Sequence, residues 1–292
     1  MGVGHYEGGF GYPAGVSSSD LSSTSLPLLS DTRIPQVGLG VWQSPRGEGT
    51  RAAVREALRL GYRHVDTAAI YGNEADVGQG VASGGVPRDQ VFVTTKLWNA
   101  DQGYDAALLA FDASLARLGL DYVDLYLLHW PVAGKRLDSW RALERLHQER
   151  RARAIGVSNF LVPHLEELLA HAKVVPAVNQ IELSPFLQRR DTVKLCMDKG
   201  IVVEAYSPLT HGKRLDDPTV VALARQVQRS PAQVLLRWGV QRGFVVLPKS
   251  TRAARIAENG ALFDFSLDAR AMTKLDGLEE GLVTGWDPAD QK

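Results

Sequence analysis

Cysteine is almost absent from this sequence. The 292 residues include a single cysteine, Cys196, so the chain can form neither an internal disulfide nor a thiolate cage for a metal ion. Such cysteine usage is typical of reducing compartments, and we expect a cytoplasmic protein. The histidine patterns of metal enzymes, HExxH and His-x-His, are missing as well. A metal-dependent hydrolase, which needs several ligands around one ion, is therefore a weak alternative, and no metal site is predicted.

An excess of either charge is also missing. Lys and Arg together number 33, and so do Asp and Glu. Proteins that bind nucleic acid or anionic membranes usually carry a basic surface, so neither partner is indicated. No apolar run reaches the roughly 20 residues that span a bilayer. Apolar residues still make up 45% of the chain, which is enough to bury a large core.

The first 25 residues differ from the rest. They are rich in Gly and Ser and lack the basic start and continuous apolar stretch of a signal peptide. Their glycines, Gly2, Gly4 and Gly8, have the wrong spacing for a dinucleotide fingerprint, and no strand precedes them. We interpret residues 1–25 as a flexible tail and residues 26–292 as one catalytic domain.

From residue 26 onward, short apolar runs alternate with helical periodicity. Helices are predicted over 106–118 and 137–150, where apolar residues recur every three or four positions. The gap from 210 to 243 holds two helical patterns, separated at the helix-start signal Ser230–Pro231. Eight apolar runs are predicted strands: 38–42, 64–68, 91–98, 123–130, 154–160, 177–183, 202–209 and 244–249.

This alternation predicts parallel βαβ units and an α/β fold. Eight such units are the count of a closed (β/α)8 barrel, the TIM barrel. An open doubly wound sheet is the alternative, but it usually carries a Gly-rich first turn when it binds a dinucleotide, and none is present. The stretch 26–40 predicts a short hairpin with Ser30 and Asp31 near its turn, which we expect to close the bottom of the barrel.

Polar side chains gather where the predicted strands end. Asp66 and then Tyr71 follow the second strand, Lys96 ends the third, and His129 ends the fourth. A buried carboxylate without a partner is very costly, so Asp66 needs a nearby cation or marks a site. In a (β/α)8 barrel all these strand ends meet at the catalytic face. The remaining ends carry Trp98, Asn99, Trp130, Ser158, Asn159, Phe160, Gln180, Tyr206, Ser207, Lys249 and Ser250.

Asp66, Tyr71, Lys96 and His129 form a chemically coherent set. A free tyrosine has a pKa of about 10, which makes it a poor acid near neutrality. A buried ammonium beside the phenol favours the phenolate, so we expect Lys96 to lower the pKa of Tyr71 while neutralising Asp66. His129 can hydrogen-bond the oxygen that Tyr71 protonates. None of these side chains supplies hydride, so the set requires a redox cofactor.

Seven motifs, in order, resemble the aldo-keto reductase family: HVDTAAIYGNE, TTKLWN, LLHWP, AIGVSNF, NQIELSP, YSPL and LPKSTRAARIAEN. The resemblance covers nearly the whole chain from residue 26. It implies a catalytic tetrad of Asp66, Tyr71, Lys96 and His129, with Tyr71 as the general acid and His129 orienting the carbonyl. It also implies hydride transfer from a nicotinamide cofactor that lies across the barrel mouth.

The resemblance further implies where this cofactor is held. Tyr206 would stack on the nicotinamide ring and leave one face open for hydride transfer. The other implied contacts are Ser158, Asn159 and Gln180 with the carboxamide, and Ser207, Leu209 and the following loop with the pyrophosphate.

Two cations and a hydroxyl, Lys249, Arg255 and Ser250, lie beside the predicted start of a helix. Such a cluster suits a 2′-phosphate through charge-assisted hydrogen bonds and helix N-terminal amides. A site for NADH more often presents an acid to the ribose, so NADPH is the predicted cofactor. Glu258 and Asn259 are the implied adenine contacts.

Aromatic residues are expected to wall the substrate pocket. Trp42, Trp98, Trp130 and Phe160 follow predicted strands, and Trp286 lies in a short C-terminal segment. That short segment resembles microbial members of the family that reduce small aldehydes, dicarbonyls such as methylglyoxal, and keto-sugar acids such as 2,5-diketo-gluconate. A small carbonyl compound is therefore the expected substrate.

One alternative function remains within the same fold: an NADPH-binding regulatory or redox-sensing subunit with little turnover. Such a subunit should carry an exposed apolar docking patch or a partner-binding extension. The extension present here is the Gly/Ser-rich tail, with Tyr6, Phe10 and Tyr12 as its aromatic residues. We expect a monomer.

Overall fold

The computed structural model describes residues 21–290. The tail predicted for residues 1–25 therefore lies largely outside the described residues. Its last part lies against the barrel, because Leu21 packs on the core and the buried Thr24 accepts the backbone N–H of Gln36 through its carbonyl at 3.0 Å.

Eight parallel strands form the predicted barrel. Each strand pairs with its neighbours in chain order, and isolated parallel bridges, Val37 with Val246 and Gly40 with Lys249, join the first to the last. The eight-stranded (β/α)8 fold is thereby confirmed. The strands are β3 (Leu39–Gly40), β4 (His64–Asp66), β5 (Phe92–Leu97), β6 (Val123–Leu128), β7 (Ala152–Ser158), β8 (Val178–Glu182), β9 (Val202–Tyr206) and β10 (Val245–Leu247).

The predicted hairpin is present before the barrel. Its strands β1 (Ser25–Pro27) and β2 (Arg33–Pro35) pair antiparallel. Leu28 and the fully buried Ile34 of the hairpin pack with inward-facing strand residues such as Phe92 and Leu125. Phe92 begins its strand, so the hairpin closes the end of the barrel where the strands start.

Helices cover the outside of the barrel, and the predicted pair over 210–243 is confirmed. Ser230 caps the second helix of that pair: its Oγ accepts the Gln233 backbone N–H, and the Gln233 side chain accepts the Ser230 N–H in return. None of the helices within residues 21–290 has the length and apolarity to cross a membrane. The helices are α1 (Glu48–Arg59), α2 (Glu74–Ala82), α3 (Tyr104–Leu118), α4 (Arg136–Gln148), α5 (Val162–His171), α6 (Arg190–Asp198), α7 (Pro218–Val227), α8 (Pro231–Gln241), α9 (Ala253–Gly260) and α10 (Ala269–Asp276).

The predicted strands extend too far at their C-terminal ends. The second strand ends at Asp66 rather than residue 68, the fourth at Leu128 rather than 130, and the seventh at Tyr206 rather than 209. Single hydrogen bonds to the neighbouring strand extend past two of these points, from the Thr67 N–H to the Thr94 carbonyl at 2.9 Å and from the His129 N–H to the Leu97 carbonyl at 3.1 Å, and then the chain turns away into loops. Many of the candidate site residues therefore lie on these loops or in the last residue pairs of the strands.

Candidate active site

A buried ion pair occupies the ends of β4 and β5. Lys96 is completely buried, and its ammonium donates to both carboxylate oxygens of Asp66, at 2.7 and 2.8 Å. A third hydrogen bond, of 2.8 Å, goes to the carbonyl oxygen of Thr67. The carboxylate that the sequence places at a strand end is therefore neutralised by a cation from the neighbouring strand.

Tyr71 reaches this pair from a short 3-10 turn, Ala69–Tyr71. The turn ends at Gly72, whose φ of 65° lies in the left-handed region that favours glycine. The buried Asn73 fixes the loop, because it accepts a hydrogen bond from the Thr67 hydroxyl and donates to the Val41 carbonyl, both at 2.9 Å. The Tyr71 hydroxyl is thereby held 3.4 Å from the Lys96 ammonium.

The pKa of Tyr71 is raised above its ordinary value. Burial of the phenol raises it, the Lys96 charge lowers it, and the Asp66 charge raises it again. The sequence-based expectation of a lowered pKa for Tyr71 is therefore wrong, because burial of the phenol outweighs the Lys96 charge. Lys96 has its charge largely neutralised by Asp66, so it offsets only part of the desolvation. Burial is the largest single effect on Lys96 and disfavours its charged form, but Asp66, Tyr71 and Glu204 together outweigh it and the pKa of Lys96 is raised.

His129 lies one residue beyond β6 and joins this set. Its backbone N–H donates to the Leu97 carbonyl at 3.1 Å. Its ring stands edge-on to Tyr71 and Trp98, with centroids 5.8 and 5.4 Å away. Burial, with the Lys96 charge second, lowers the pKa of His129 well below its ordinary value. The imidazole is therefore neutral near pH 7 and has one N–H to offer a ligand.

A second polar group connects β7, β8 and β9 beside His129. Asn159, in the left-handed conformation at φ 64°, donates to the His129 carbonyl at 3.0 Å and accepts the Tyr206 hydroxyl at 2.8 Å. Ser158 donates to the Gln180 carbonyl at 2.9 Å. With its hydroxyl fixed and its ring partly exposed, Tyr206 presents a flat aromatic surface of the kind on which a planar ring can stack.

The Gln180 side chain connects the two groups. Its amide nitrogen donates to Asp66 Oδ2 at 2.8 Å and to Glu204 Oε2 at 2.6 Å. Glu204 is completely buried in β9 and was missed by the sequence analysis. The signal was available in the segment VVEAY, where an acid interrupts an apolar strand just as Asp66 does.

Three cations surround the start of α9. Lys249, Arg252 and Arg255 are exposed, and none of them forms an ion pair within residues 21–290. Ser250 Oγ accepts the Arg252 backbone N–H at 3.1 Å and shapes the turn into the helix. Unpaired cations beside a helix N-terminus fit a phosphate group. Arg252, which the sequence analysis did not name, belongs to the same LPKSTRAAR run. Of the implied adenine contacts in α9, Glu258 is partly buried and Asn259 is buried.

A loop after β9 reaches past β10 to Trp42, two residues beyond β3. Ser207, at φ 47°, shares a 2.9 Å hydrogen bond with the His211 ring, which in turn lies 5.7 Å from the Trp42 ring. Leu209 packs on the core below, and Arg214 pairs with Glu280 at 2.8 Å. This arrangement fits a strap that passes over an elongated ligand.

The sequence model of the Aldo/keto reductase family matches residues 36–280. The chain belongs to the aldo/keto reductase family. It is 50% identical over 268 residues to an aldo-keto reductase of Mycolicibacterium smegmatis, which covers 91% of this chain and 97% of that protein. It is 46% identical over 264 residues to the glyoxal reductase of Bacillus subtilis, covering 90% and 96%. The crystal structure of the Bombyx mori aldo-keto reductase in complex with NADP has a TM-score of 0.84 at 38% identity, covering 89% of this chain and 94% of that chain.

Aromatic side chains surround the mouth of this aldo/keto reductase above the tetrad. Trp98 lies against His129, and the largely buried Trp130 meets Trp286 edge-on, with centroids 6.3 Å apart. Trp42 and Trp286 are 37% and 71% exposed, so they have surface available for a ligand. The four tryptophans expected in the pocket thus lie around the mouth.

Phe160 does not fit the expected pocket wall of the reductase. Its side chain is fully buried and stands edge-on to His164 of α5, with centroids 5.9 Å apart. The left-handed residue before it, Asn159, turns the chain, and Phe160 packs with core residues such as Leu165 and Leu168. The sequence order alone did not reveal this turn.

Other reactive groups of the reductase lie away from the mouth. Cys196 is buried in α6, and burial raises the pKa of its thiol to about 11, which keeps it a poor nucleophile. Among residues 21–290, no group of three or more His, Cys, Asp or Glu is placed to hold a metal ion.

Proposed function

We propose that this aldo/keto reductase reduces small aldehydes and ketones to alcohols with NADPH, and that Tyr71 donates the proton. The observation that carries the proposal is the buried Lys96, which bonds both oxygens of Asp66 and lies 3.4 Å from the Tyr71 hydroxyl, beside the neutral His129. A proton donor beside a fixed cation and a neutral hydrogen-bond donor suits protonation of a carbonyl oxygen.

The residues at the mouth fit NADPH, which supplies the hydride when bound. The ring surface of Tyr206 supports this choice, and so do the three cations at the start of α9, which form no ion pair within residues 21–290. The strap after β9 suits the pyrophosphate between them. The Bombyx mori relative was solved with NADP. We assign Ser158, Asn159 and Gln180 to the carboxamide, Ser207 and Leu209 to the pyrophosphate, Lys249, Ser250 and Arg255 to the 2′-phosphate, and Glu258 and Asn259 to the adenine.

The tetrad residues transfer a proton to the substrate. As negative charge develops on the substrate oxygen, Tyr71 donates its hydroxyl proton to that oxygen. Lys96 stabilises the phenolate that remains, and Asp66 holds Lys96 in place. The neutral His129 donates a hydrogen bond to the same oxygen and orients the carbonyl.

Small dicarbonyls and aldehydes are the substrates we propose. The relative from Bacillus subtilis is named glyoxal reductase. The short C-terminal segment leaves Trp286 mostly exposed rather than folded over the site. An aromatic, open mouth of this kind suits compact planar carbonyl compounds.

We further infer that the chain acts as a monomer in the cytoplasm. Six large hydrophobic residues in the described part of the chain are exposed, and three of them, Trp42, Ile70 and Trp286, lie at the barrel mouth. Few exposed apolar groups are then left for a subunit interface. Light scattering of the purified protein tests the mass, and a dimer would contradict the inference.

The first experiment measures NADPH consumption with a dicarbonyl, an aromatic aldehyde and a keto-sugar acid, using Tyr71→Phe as the matched variant. We expect the variant to lose about 10²- to 10⁴-fold in kcat, because only the proton is removed. NADPH binding, followed by fluorescence, should stay near wild type. Wild-type turnover by Tyr71→Phe would remove Tyr71 from the mechanism. Tight NADPH binding without turnover of any carbonyl would favour the regulatory subunit instead.

A further inference from the structure

Glu204 occupies the centre of the barrel beneath the tetrad. It is completely buried in β9, between Gln180 of β8 and the apolar Val245 of β10 in the strand register. Its Oε2 accepts the Gln180 amide at 2.6 Å. Its Oε1 is buried, has no hydrogen-bond partner among the described residues, and lies 3.6 Å from His64 Nε2.

The charges around Glu204 do not balance if it is ionised. The Lys96 ammonium is the cation of this cluster, and its hydrogen bonds go to Asp66, Thr67 and Tyr71 rather than to Glu204. A buried carboxylate without a cation is very costly, so the neutral acid is favoured. Burial, with the Asp66 charge second, raises the pKa of Glu204 to about 8.

The proton of this neutral acid has a place in the structure. Oε2 is occupied by the Gln180 N–H, so the proton belongs on Oε1, facing His64. Burial lowers the pKa of His64 to about 3, so the imidazole is neutral and can accept at Nε2. That nitrogen also lies 3.0 Å from the Thr94 hydroxyl. Since Nε2 has one lone pair, a small approach of Glu204 to His64 completes the hydrogen bond when the Thr94 hydroxyl turns its own proton elsewhere.

The two acids together determine how the Gln180 amide is turned. Both of its strong contacts, with Asp66 and Glu204, are to acceptor oxygens, so the amide nitrogen must face them. The carbonyl oxygen of the same amide then points away from both acids and is left to accept an N–H from a carboxamide. The orientation of Gln180 toward the cofactor thus depends on Glu204.

We propose that Glu204 is a positioning residue of the reductase: as a neutral carboxylic acid it fixes the Gln180 amide and keeps the charge beneath Tyr71 balanced. The proposal rests on the function proposed above for the tetrad. Ionisation of Glu204 adds an uncompensated negative charge, which raises the pKa of Tyr71 and makes it a weaker proton donor. Reduction should therefore slow as Glu204 loses its proton.

Two variants separate the roles of Glu204. Glu204→Gln keeps an acceptor for the Gln180 N–H and cannot ionise, whereas Glu204→Leu keeps much of the volume and loses the acceptor. The matched control is Asp124→Asn, another buried acid, which lies at the start of β6 near the opposite end of the barrel. The control should keep the wild-type dependence of kcat on pH.

The first readouts do not need catalysis. The infrared carboxylic-acid band of wild type at about pH 7 should be missing from Glu204→Gln. Between the ordinary pKa of 4.5 and the raised value of about 8, the folded state binds one proton more than the unfolded state. The free energy of unfolding should therefore fall as pH rises through this window, and Glu204→Gln should lack that fall. An unchanged band and an unchanged pH dependence of stability would overturn the proposal.

The remaining readouts test positioning. NADPH should bind Glu204→Gln as it binds wild type, and about tenfold more weakly to Glu204→Leu, because one N–H of Gln180 loses its acceptor. From about pH 7 to about pH 9, wild-type kcat should fall roughly tenfold further than that of Glu204→Gln. Identical pH profiles would overturn the proposal. If no protein reduced any carbonyl, the proposed function would fail, while the infrared, unfolding and NADPH measurements would still decide the state of Glu204.

Discussion

The buried acids at the two ends of the barrel differ in how many cations they contact. Near the start of β6, Asp124 meets two arginines that reach solvent, Arg88 at 2.8 Å and Arg153 at 3.3 Å. At the mouth, Lys96 hydrogen-bonds Asp66 and the Tyr71 phenol, while no cation within residues 21–290 forms an ion pair with Glu204. At the closed end the acid has two cation partners, although burial still leaves the pKa of Asp124 raised. At the mouth, the buried acids outnumber the buried cations, and ionisable groups with perturbed pKa values cluster at functional sites.

Cations follow the same contrast. Arg88 and Arg153 are occupied by Asp124, whereas Lys249, Arg252 and Arg255 at the mouth form no ion pair within residues 21–290. Arg88 and Arg153 therefore hold the protein's own acid, whereas the three cations at the start of α9 are available to a ligand.

Removing the buried cation Lys96 should have the largest effect on activity and stability. We expect Lys96→Met to lower kcat by about 10²- to 10⁴-fold, because the phenolate of Tyr71 loses its counterion. The variant should also lose about 3–5 kcal/mol of unfolding free energy, because Asp66 is left buried and unpaired. Stopped-flow reduction and urea unfolding measure the two effects.

The double variant Lys96→Met with Asp66→Asn is the control for this prediction. It should recover part of the stability, since no buried charge remains, but not the rate. Recovery of the rate would show that Lys96 only neutralises Asp66, which is the simpler interpretation of the ion pair.

Removing the cations proposed to bind the 2′-phosphate should have an intermediate effect, which falls on cofactor binding. Replacing both Lys249 and Arg255 with Ala should weaken NADPH binding by about 10- to 100-fold, because two charge-assisted hydrogen bonds are lost. NADH binding should change little. Arg270→Ala, an exposed arginine of α10, is the matched control. Equal weakening of NADPH and NADH would contradict the 2′-phosphate assignment.

The smallest effect is expected at the closed end. Asp124→Asn should leave kcat within about twofold of wild type and change the unfolding free energy by about 1 kcal/mol or less. The arginines stay hydrated, and asparagine can still accept the Val93 N–H that Asp124 accepts at 2.9 Å. A large loss of activity would erase the contrast between the two ends.

Short motifs with local geometry could be predicted from the sequence. The residues Asp66, Lys96 and His129 lie at or next to strand ends, and a barrel brings strand ends together wherever the loops go. The helix start expected at Ser230–Pro231 is likewise present, because capping depends on neighbours in the sequence.

Properties that depend on burial in three dimensions could not be predicted. The net pKa shift of Tyr71 reverses the expected direction because desolvation depends on packing around the ring. Phe160 turns into the core because Asn159 adopts a left-handed conformation that the motif does not reveal. Glu204 interrupts an apolar strand visibly in the sequence, but its contact with Gln180 beside the tetrad depends on how the barrel brings the strands together.

The seam that closes the barrel has a consequence for how the protein responds to its cofactor. Strand β3 has two residues, and its junction with β10 is made by isolated bridges, one of which includes Lys249 itself. Two residues beyond Gly40, on the other side of the seam, Trp42 touches the strap through His211. A molecule that contacts both the strap and Lys249 would hold the two sides of this junction together. Amide hydrogens along this junction should then exchange more slowly, and the protein should melt at a higher temperature, as the NADPH concentration rises.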